Sequence, residues 1–127
     1  MATRSTRIAI VGAGPTAVYT LKNLLQKPGR FNITVFEAGP VAGCGIPYSE
    51  SHNTQDMMAN ITSVEIPPVL TSLADWVRSA SPQLLRRFGI DRDAVGDRDF
   101  YPRVLIGAYY VDQLQRLVAA GEFSGHA

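Results

Sequence analysis

With 127 residues, 46% of them hydrophobic and 18% charged, the chain has the size and balance of one small globular domain, and neither disorder nor a fibrous repeat fits it. A formal charge of +1 without a basic stripe removes the electrostatic case for nucleic acid, and no apolar run approaches the ~20 residues that span a bilayer. The single Cys44 has no internal disulfide partner, so a reducing, cytoplasmic setting is expected.

Residues 1–6 read as a short polar lead-in. Arg4 and Arg7 ahead of an apolar run superficially resemble a secretory signal, but Gly12, Gly14 and Pro15 cut that run before the ~7–15 apolar residues of a signal core. Export is therefore rejected, and the glycosylation sequons at Asn32 and Asn60 read as accidental. Ile8, Ala9, Ile10 and Val11 are continuously apolar, which predicts a parallel strand covered on both faces and central in its sheet. Gly12 and Gly14 end it, and Pro15 suits the first helical turn, where its missing N–H is not needed. Ala17, Val18, Leu21, Leu24 and Leu25 recur at helical spacing opposite Lys22, Asn23 and Gln26, until Pro28 and Gly29 stop the pattern. Ile33, Thr34, Val35 and Phe36 predict a second strand, which a right-handed crossover sets parallel beside the first. Residues 7–37 thus form one βαβ unit.

Residues 38–69 differ: Gly39, Pro40, Gly43, Gly45, Pro47, Pro67 and Pro68 punctuate them, and a single helical turn is expected near Met57. Irregular segments of this length in compact domains are usually functional or disordered, and one that leaves a cofactor strand reads as a cofactor-covering loop. The helical period returns over residues 70–121. Leu70, Leu73, Ala74 and Val77 mark one helix, with Ser72 and Asp75 as a capping pair. Ser81 and Pro82 open a short helix through Leu84, Leu85 and Phe88 that Gly89 ends. After a charged connection, Val104, Ala108, Val111, Leu114 and Val118 mark a long helix stopping at Gly121, and residues 122–127 carry no pattern. Trp76, Leu85 and Phe88 read as core, and packing is the expected role of Tyr109 and Tyr110.

Gly12-x-Gly14-x-x-Ala17 matches the dinucleotide fingerprint with its permitted last Ala. Gly12 lets the chain turn sharply out of the strand, Gly14 lets backbone approach a pyrophosphate, and Ala17 keeps the helix close to the sheet. The pyrophosphate then meets free N–H groups and the positive end of the helix dipole. Alone the motif is weak, because glycine turns are common; the buried strand before it, the helix after it and the acid closing the next strand strengthen it. That acid, Glu37, suits the hydroxyls of an adenosine ribose and repels the phosphate of an NADP-type ribose. The unit alone does not separate FAD from NAD. His52 and His126 lie far apart without acids or cysteines at metal-ligand spacing, so no metal site is expected, and Cys44 lacks the partner of a redox thiol.

The run EAGPVAGCGIPY, residues 37–48, resembles flavoproteins of the two-dinucleotide-binding-domain type, in which a second glycine loop closes over FAD. Taken with residues 8–20, 53–60 and 100–110, the chain is similar to the N-terminal part of the FAD-NAD(P)-binding family of bacterial flavoproteins, related to flavin-dependent hydroxylases. That resemblance implies FAD as cofactor, NAD(P)H as reductant of the complete protein, and electron transfer or oxygen activation as its chemistry. It carries Gly12, Gly14, Pro15, Thr16 and Ala17 to the pyrophosphate, Glu37 and the adjoining Ala38 to the adenosine side, and Gly43 and Gly45 to the phosphates. Asn60 is added from the third matched run. Arg103, at the head of the last helix, resembles the Arg that many flavin hydroxylases direct at FAD, and a planar guanidinium matches a diphosphate well.

The fold expected is α/β, a Rossmann-like FAD-binding domain that is incomplete. A doubly wound sheet needs three or four parallel strands and only two are readable. Such a chain is expected to be a truncated or fragmentary flavoprotein, marginally stable and inactive as 127 residues alone, with catalytic residues, substrate and oligomeric state unassigned and with neither nucleic acid nor membrane as partner. Two further functions use the same fingerprint: a fragment of an NAD-dependent dehydrogenase, and a non-catalytic remnant or interaction module.

Overall fold

The computed structural model describes residues 4–127; residues 1–3 of the expected lead-in lie outside the described residues. Strand β1 (Thr6–Val11) leads through helix α1 (Pro15–Leu25) to strand β2 (Phe31–Phe36). The two strands pair in parallel, with Ile8 opposite Ile33 and Val11 opposite Phe36, as in an α/β Rossmann-like unit. Helices α2 (Leu73–Ser79), α3 (Pro82–Phe88) and α4 (Arg103–Phe123) follow, with single 3-10 turns at Ile46–Tyr48, Ser63–Glu65 and Arg92–Ala94. None of the helices is long and apolar enough to cross a membrane.

Helix α4 is the spine of the core. Its Leu105, Ile106, Tyr109 and Gln113 are fully buried, and α1 packs on it through Val18 and Leu21 while α2 contributes Leu73, Trp76 and Val77. Trp76 donates from Nε1 to Asp112 (2.9 Å), Leu85 is buried, and Phe88 packs against the cluster. Tyr109 and Tyr110 pack against each other with ring centroids 5.2 Å apart, and Tyr110 meets Tyr19 of α1 edge-on. The caps are those the sequence predicts: Asp75 N–H donates to Ser72 Oγ and Leu84 N–H to Ser81 Oγ, each at 3.2 Å, and Gly89 ends α3 in the left-handed region.

Three expectations are corrected. The apolar run of β1 is not central or covered on both faces: among the described residues the sheet has two strands, and Val11 is 87% exposed. Helices α1 and α4 cover only the face that carries Ile10, Ile33 and Val35. The helical turn expected near Met57 is a single hydrogen-bonded turn, Met57 N–H to Thr54 O (3.2 Å), and it runs directly into a short antiparallel bridge, Met58 to Pro102, with Arg103 N–H donating to Met57 O (2.8 Å) and Ala59 N–H to Tyr101 O (2.9 Å).

Helix α2 begins at Leu73 and not at Leu70, because α4 holds the preceding residues in a non-helical bend: Gln113 Oε1 accepts the N–H groups of Leu70 (2.8 Å) and Thr71 (3.0 Å). Gly121 does not stop α4. It is a buried contact inside the helix, where a Cβ would lie 3.0 Å from Leu25 Cδ2, so the glycine marks the close approach of α1 and α4. Residues 122–127, patternless in sequence, return to the sheet: Ala127 bonds the backbone of β2, and the His126 ring stacks on Phe31 at 5.6 Å.

Candidate functional site

The turn between β1 and α1 is held from three sides. Gly12, at φ +89, donates its N–H to Phe36 O (2.8 Å), which ties the turn to the end of β2. Ala13 is buried, its C=O accepting from Gly43 N–H (2.6 Å) and its N–H donating to Glu37 Oε2 (3.1 Å). Gly14 is the N-cap of α1 and supplies no side-chain cap, Pro15 follows, and the first turn carries no acid. The N–H groups of Thr16 and Ala17 therefore have no cap among the described residues, and the positive end of the helix dipole is not compensated locally. This arrangement can take an anion on backbone donors.

Glu37 stands at the mouth of that turn. Its Oε1 accepts from Gly39 N–H (2.8 Å) and its Oε2 from Ala13 N–H. These donors, Gly39 first and Ala13 next, with a smaller contribution from the N–H of Ala38, hold the carboxyl below the usual carboxylate range. The group is therefore a fixed anion at neutral pH, clamped by the turn it faces, and it remains open to solvent for a further donor such as a ribose hydroxyl.

The second glycine loop folds onto the first. Gly45, at φ +61, is so close to the turn that a Cβ would lie 3.2 Å from Gly14 Cα and from Pro15 Cδ. Gly43, at φ +114, is wedged against α4, where a Cβ would lie 2.8 Å from Val111 Cα. Gly107 completes the seat: its missing side chain admits Tyr48 and Cys44 onto the helix. Burial pushes the Cys44 thiol up, consistent with a packing role and not a redox one. Beside this loop an open cavity of about 620 Å³ extends from Glu37 and Val41 past Cys44 and Ile46 to Ala108 and Val111 of α4. His52 sits on its rim with Nδ1 2.8 Å from Ser49 Oγ and 3.0 Å from Ser51 Oγ.

The predicted residues thus fall into two groups. Gly12, Gly14, Pro15, Thr16, Ala17, Glu37, Ala38, Gly43 and Gly45 come together around one turn. Asn60 and Arg103 fall outside this group, on opposite sides and at opposite ends of the antiparallel Met58 to Pro102 bridge, where Arg103 opens α4. Arg103 is one turn before Gly107 and shares its face of the helix, the face on which the 44–48 loop is seated. Sequence reasoning missed Gly107 and Gln113, and it read Tyr109 as packing without its hydrogen bonds to the loop. Tyr109 OH accepts from Val69 N–H (3.1 Å) and donates to Thr71 O (2.7 Å), so Tyr109 and Gln113 staple the end of the long loop to α4. A glycine inside an otherwise apolar helix was the signal that could have found Gly107.

The profile of a family described as FAD-NAD(P)-binding matches residues 9–125. Among curated proteins, the uncharacterized protein YdhS of Escherichia coli (strain K12) is similar, with 46% identity over 112 residues. The alignment covers 88% of this chain and 21% of YdhS, so the chain spans about a fifth of that relative's length. No solved structure matches.

Proposed function

This chain belongs to the FAD-NAD(P)-binding family, and we propose that it holds the adenine-dinucleotide half of FAD for an NAD(P)H-dependent flavoprotein oxidoreductase or monooxygenase. The observation that carries this reading is the uncapped N-terminus of α1, with Glu37 fixed beside it and the Gly43 to Gly45 loop folded onto it. A dinucleotide carries its diphosphate on the 5′-oxygen of the adenosine ribose, so an anion cradle with a carboxylate beside it suits the diphosphate and the ribose hydroxyls together.

In this reading Gly12 and Gly14 bring backbone to the pyrophosphate, Thr16 and Ala17 donate to it, and Pro15 presets the helix. Glu37, with Ala38 beside it, takes the ribose. Gly43 and Gly45 close the site from the far side, and this second glycine loop is the feature that favours FAD over NAD. Arg103, at the head of α4, and Asn60, at the other end of the adjoining bridge, address the part of the cofactor beyond the turn. Bound FAD would supply the redox chemistry, accepting reducing equivalents from NAD(P)H; the residues of this chain bind and orient. The lone buried Cys44 suits a cytoplasmic, reducing setting.

Purified protein tests the reading. A flavin absorption band that persists through gel filtration, with FAD released on denaturation, is the expected result. Retention of NAD without flavin would instead favour a dehydrogenase fragment, and retention of neither would favour a non-catalytic module.

A further inference from the structure

Ser49, Glu50, Ser51 and His52 form one wall of the cavity that Ala108 and Val111 of α4 also line. The loop that carries them is built from within. Asn53 Nδ2 donates to Pro47 O (3.0 Å) and Ser49 O (2.9 Å), His52 Nδ1 meets the hydroxyls of Ser49 and Ser51, and Met57 N–H donates to Thr54 O (3.2 Å). A surface loop packed by its own side chains holds its shape but not its place. Its two ends are placed by α4, through the seat of Tyr48 at Gly107 and the bridge at Met58. Between those ends, among the described residues, every hydrogen bond from residues 49–56 to a residue outside 46–57 ends on Arg87 of α3. Glu50 Oε1 accepts from the Arg87 guanidinium (2.7 Å), Gln55 Nε2 donates to Arg87 O (2.6 Å), and Arg87 Nε donates to Gln55 Oε1 (3.4 Å).

The end of α3 makes Arg87 a fixed point. Gly89, in the left-handed region, donates its N–H to Arg86 O (3.2 Å), and Ile90 N–H donates to Leu85 O (2.9 Å), which is the bond pair of a Schellman cap. That cap leaves the Arg87 carbonyl without a partner from the helix, and Gln55 supplies the donor. Leu85 is buried in the core, and the Arg87 guanidinium lies over the Phe88 ring at 5.0 Å, which limits its swing. We propose that Arg87 is a positioning residue: it tethers the 49–56 loop to α3, fixes that wall of the cavity and thereby slows release of the ligand held there. For the ligand the proposal rests on the FAD reading above, since Glu37, which takes the ribose in that reading, lines the same cavity. For the wall it stands on the loop and its hydrogen bonds alone. Both partners of the Arg87 and Glu50 pair are open to solvent, so salt screens the tether.

The test compares Arg87→Ala, Glu50→Gln, the double variant, and the exchanged pair Arg87→Glu with Glu50→Arg, all in the full chain. Arg86→Ala, exposed beside Arg87 on α3, controls for lost charge, and Arg78→Ala, which loses its ion pairs on α2, controls for lost stability. Amide exchange at His52 and Met57 is read without ligand, and FAD dissociation is read by stopped-flow fluorescence. Each single variant is expected to exchange about two- to fivefold faster at both amides and to release FAD faster by a similar factor. The double variant is expected to be no faster than either single one, the exchanged pair to recover most of the loss, and added salt to narrow the difference from the unaltered protein. Both controls are expected to leave the two amides unchanged, because loop amides exchange by local opening. If the unaltered protein retains no FAD, the FAD reading fails and the exchange data alone decide on the tether. A control that matches Arg87→Ala, additive effects in the double variant, or no recovery in the exchanged pair would overturn the proposal.

Discussion

Replacing Gly43 by Ala tests whether the second glycine loop is seated as described. Two costs apply at once. At φ +114 an L-residue is strained, and its Cβ would lie 2.8 Å from Val111 Cα and 3.0 Å from Tyr110 O, both backbone atoms with no rotamer to yield. Strain of this kind costs about 1–3 kcal/mol, and overpacking against a rigid neighbour costs a further ~1–3 kcal/mol. The sum, about 2–6 kcal/mol, corresponds to a fall in Tm of about 10 °C or more for a domain of this size. Two other glycines separate the contributions. Gly29 has φ +108 with nothing within 4 Å of the added Cβ, so Gly29→Ala isolates the strain. Gly107 lies within α4, where Ala gains about 1 kcal/mol of helix propensity, so the net loss expected for Gly107→Ala reports the clash with Tyr48 and Cys44. Thermal unfolding by circular dichroism ranks the three, with Gly43→Ala and Gly107→Ala both expected to be more damaging than Gly29→Ala. A Gly43→Ala protein as stable as Gly29→Ala would refute the contact between this loop and α4.

Glu37→Gln keeps the size of the side chain and removes its charge; FAD affinity measured by fluorescence titration is expected to fall about tenfold, with folding retained. The carboxyls of Glu37, held by Gly39 and Ala13 N–H, and of Glu65, held by Thr62 N–H and hydroxyl, are both depressed in the folded chain. Their contribution to stability is therefore present above the ordinary carboxylate pKa and lost as pH falls through the lower folded values, so a double Gln variant should show a flatter Tm against pH across that acid range. At the alkaline end, burial first and then the nearby Asp99 push Tyr101 up to about 12. The neutral phenol favours the fold below the ordinary tyrosine pKa of about 10, and that contribution disappears between about 10 and 12. Phenolate absorbance is thus expected to lag behind that of free tyrosine and to rise together with loss of helix; Tyr101→Phe should reduce that dependence.

The elements carried by local chemistry were legible. The strand, the glycine turn, Pro15 opening α1, Ser72 and Ser81 as caps and Gly89 as a stop are all dictated within a few residues, and each lies where the sequence puts it. What was not legible depends on partners far along the chain. Gly121 has the look of a stop but sits against Leu25, and Leu70 has helical spacing but is held in a bend outside the helix by Gln113. The exposure of Val11 is of the same kind, since an apolar run states that burial is possible and not which elements provide it. In the site, the fingerprint and Glu37 follow from spacing alone. The seat that fixes Gly43 and Cys44 arises from Val111 and Gly107, more than sixty residues away in the chain.

The measurement that bears most directly on the account is the amide spectrum of the labelled protein titrated with FAD. The largest shifts are expected at Thr16, Ala17, Gly39 and Gly45, around the N-terminus of α1 and the Glu37 carboxylate, and they should be lost in Glu37→Ala at the same FAD concentration. Shifts confined to α2 and α3, or no saturable change at all, would contradict it.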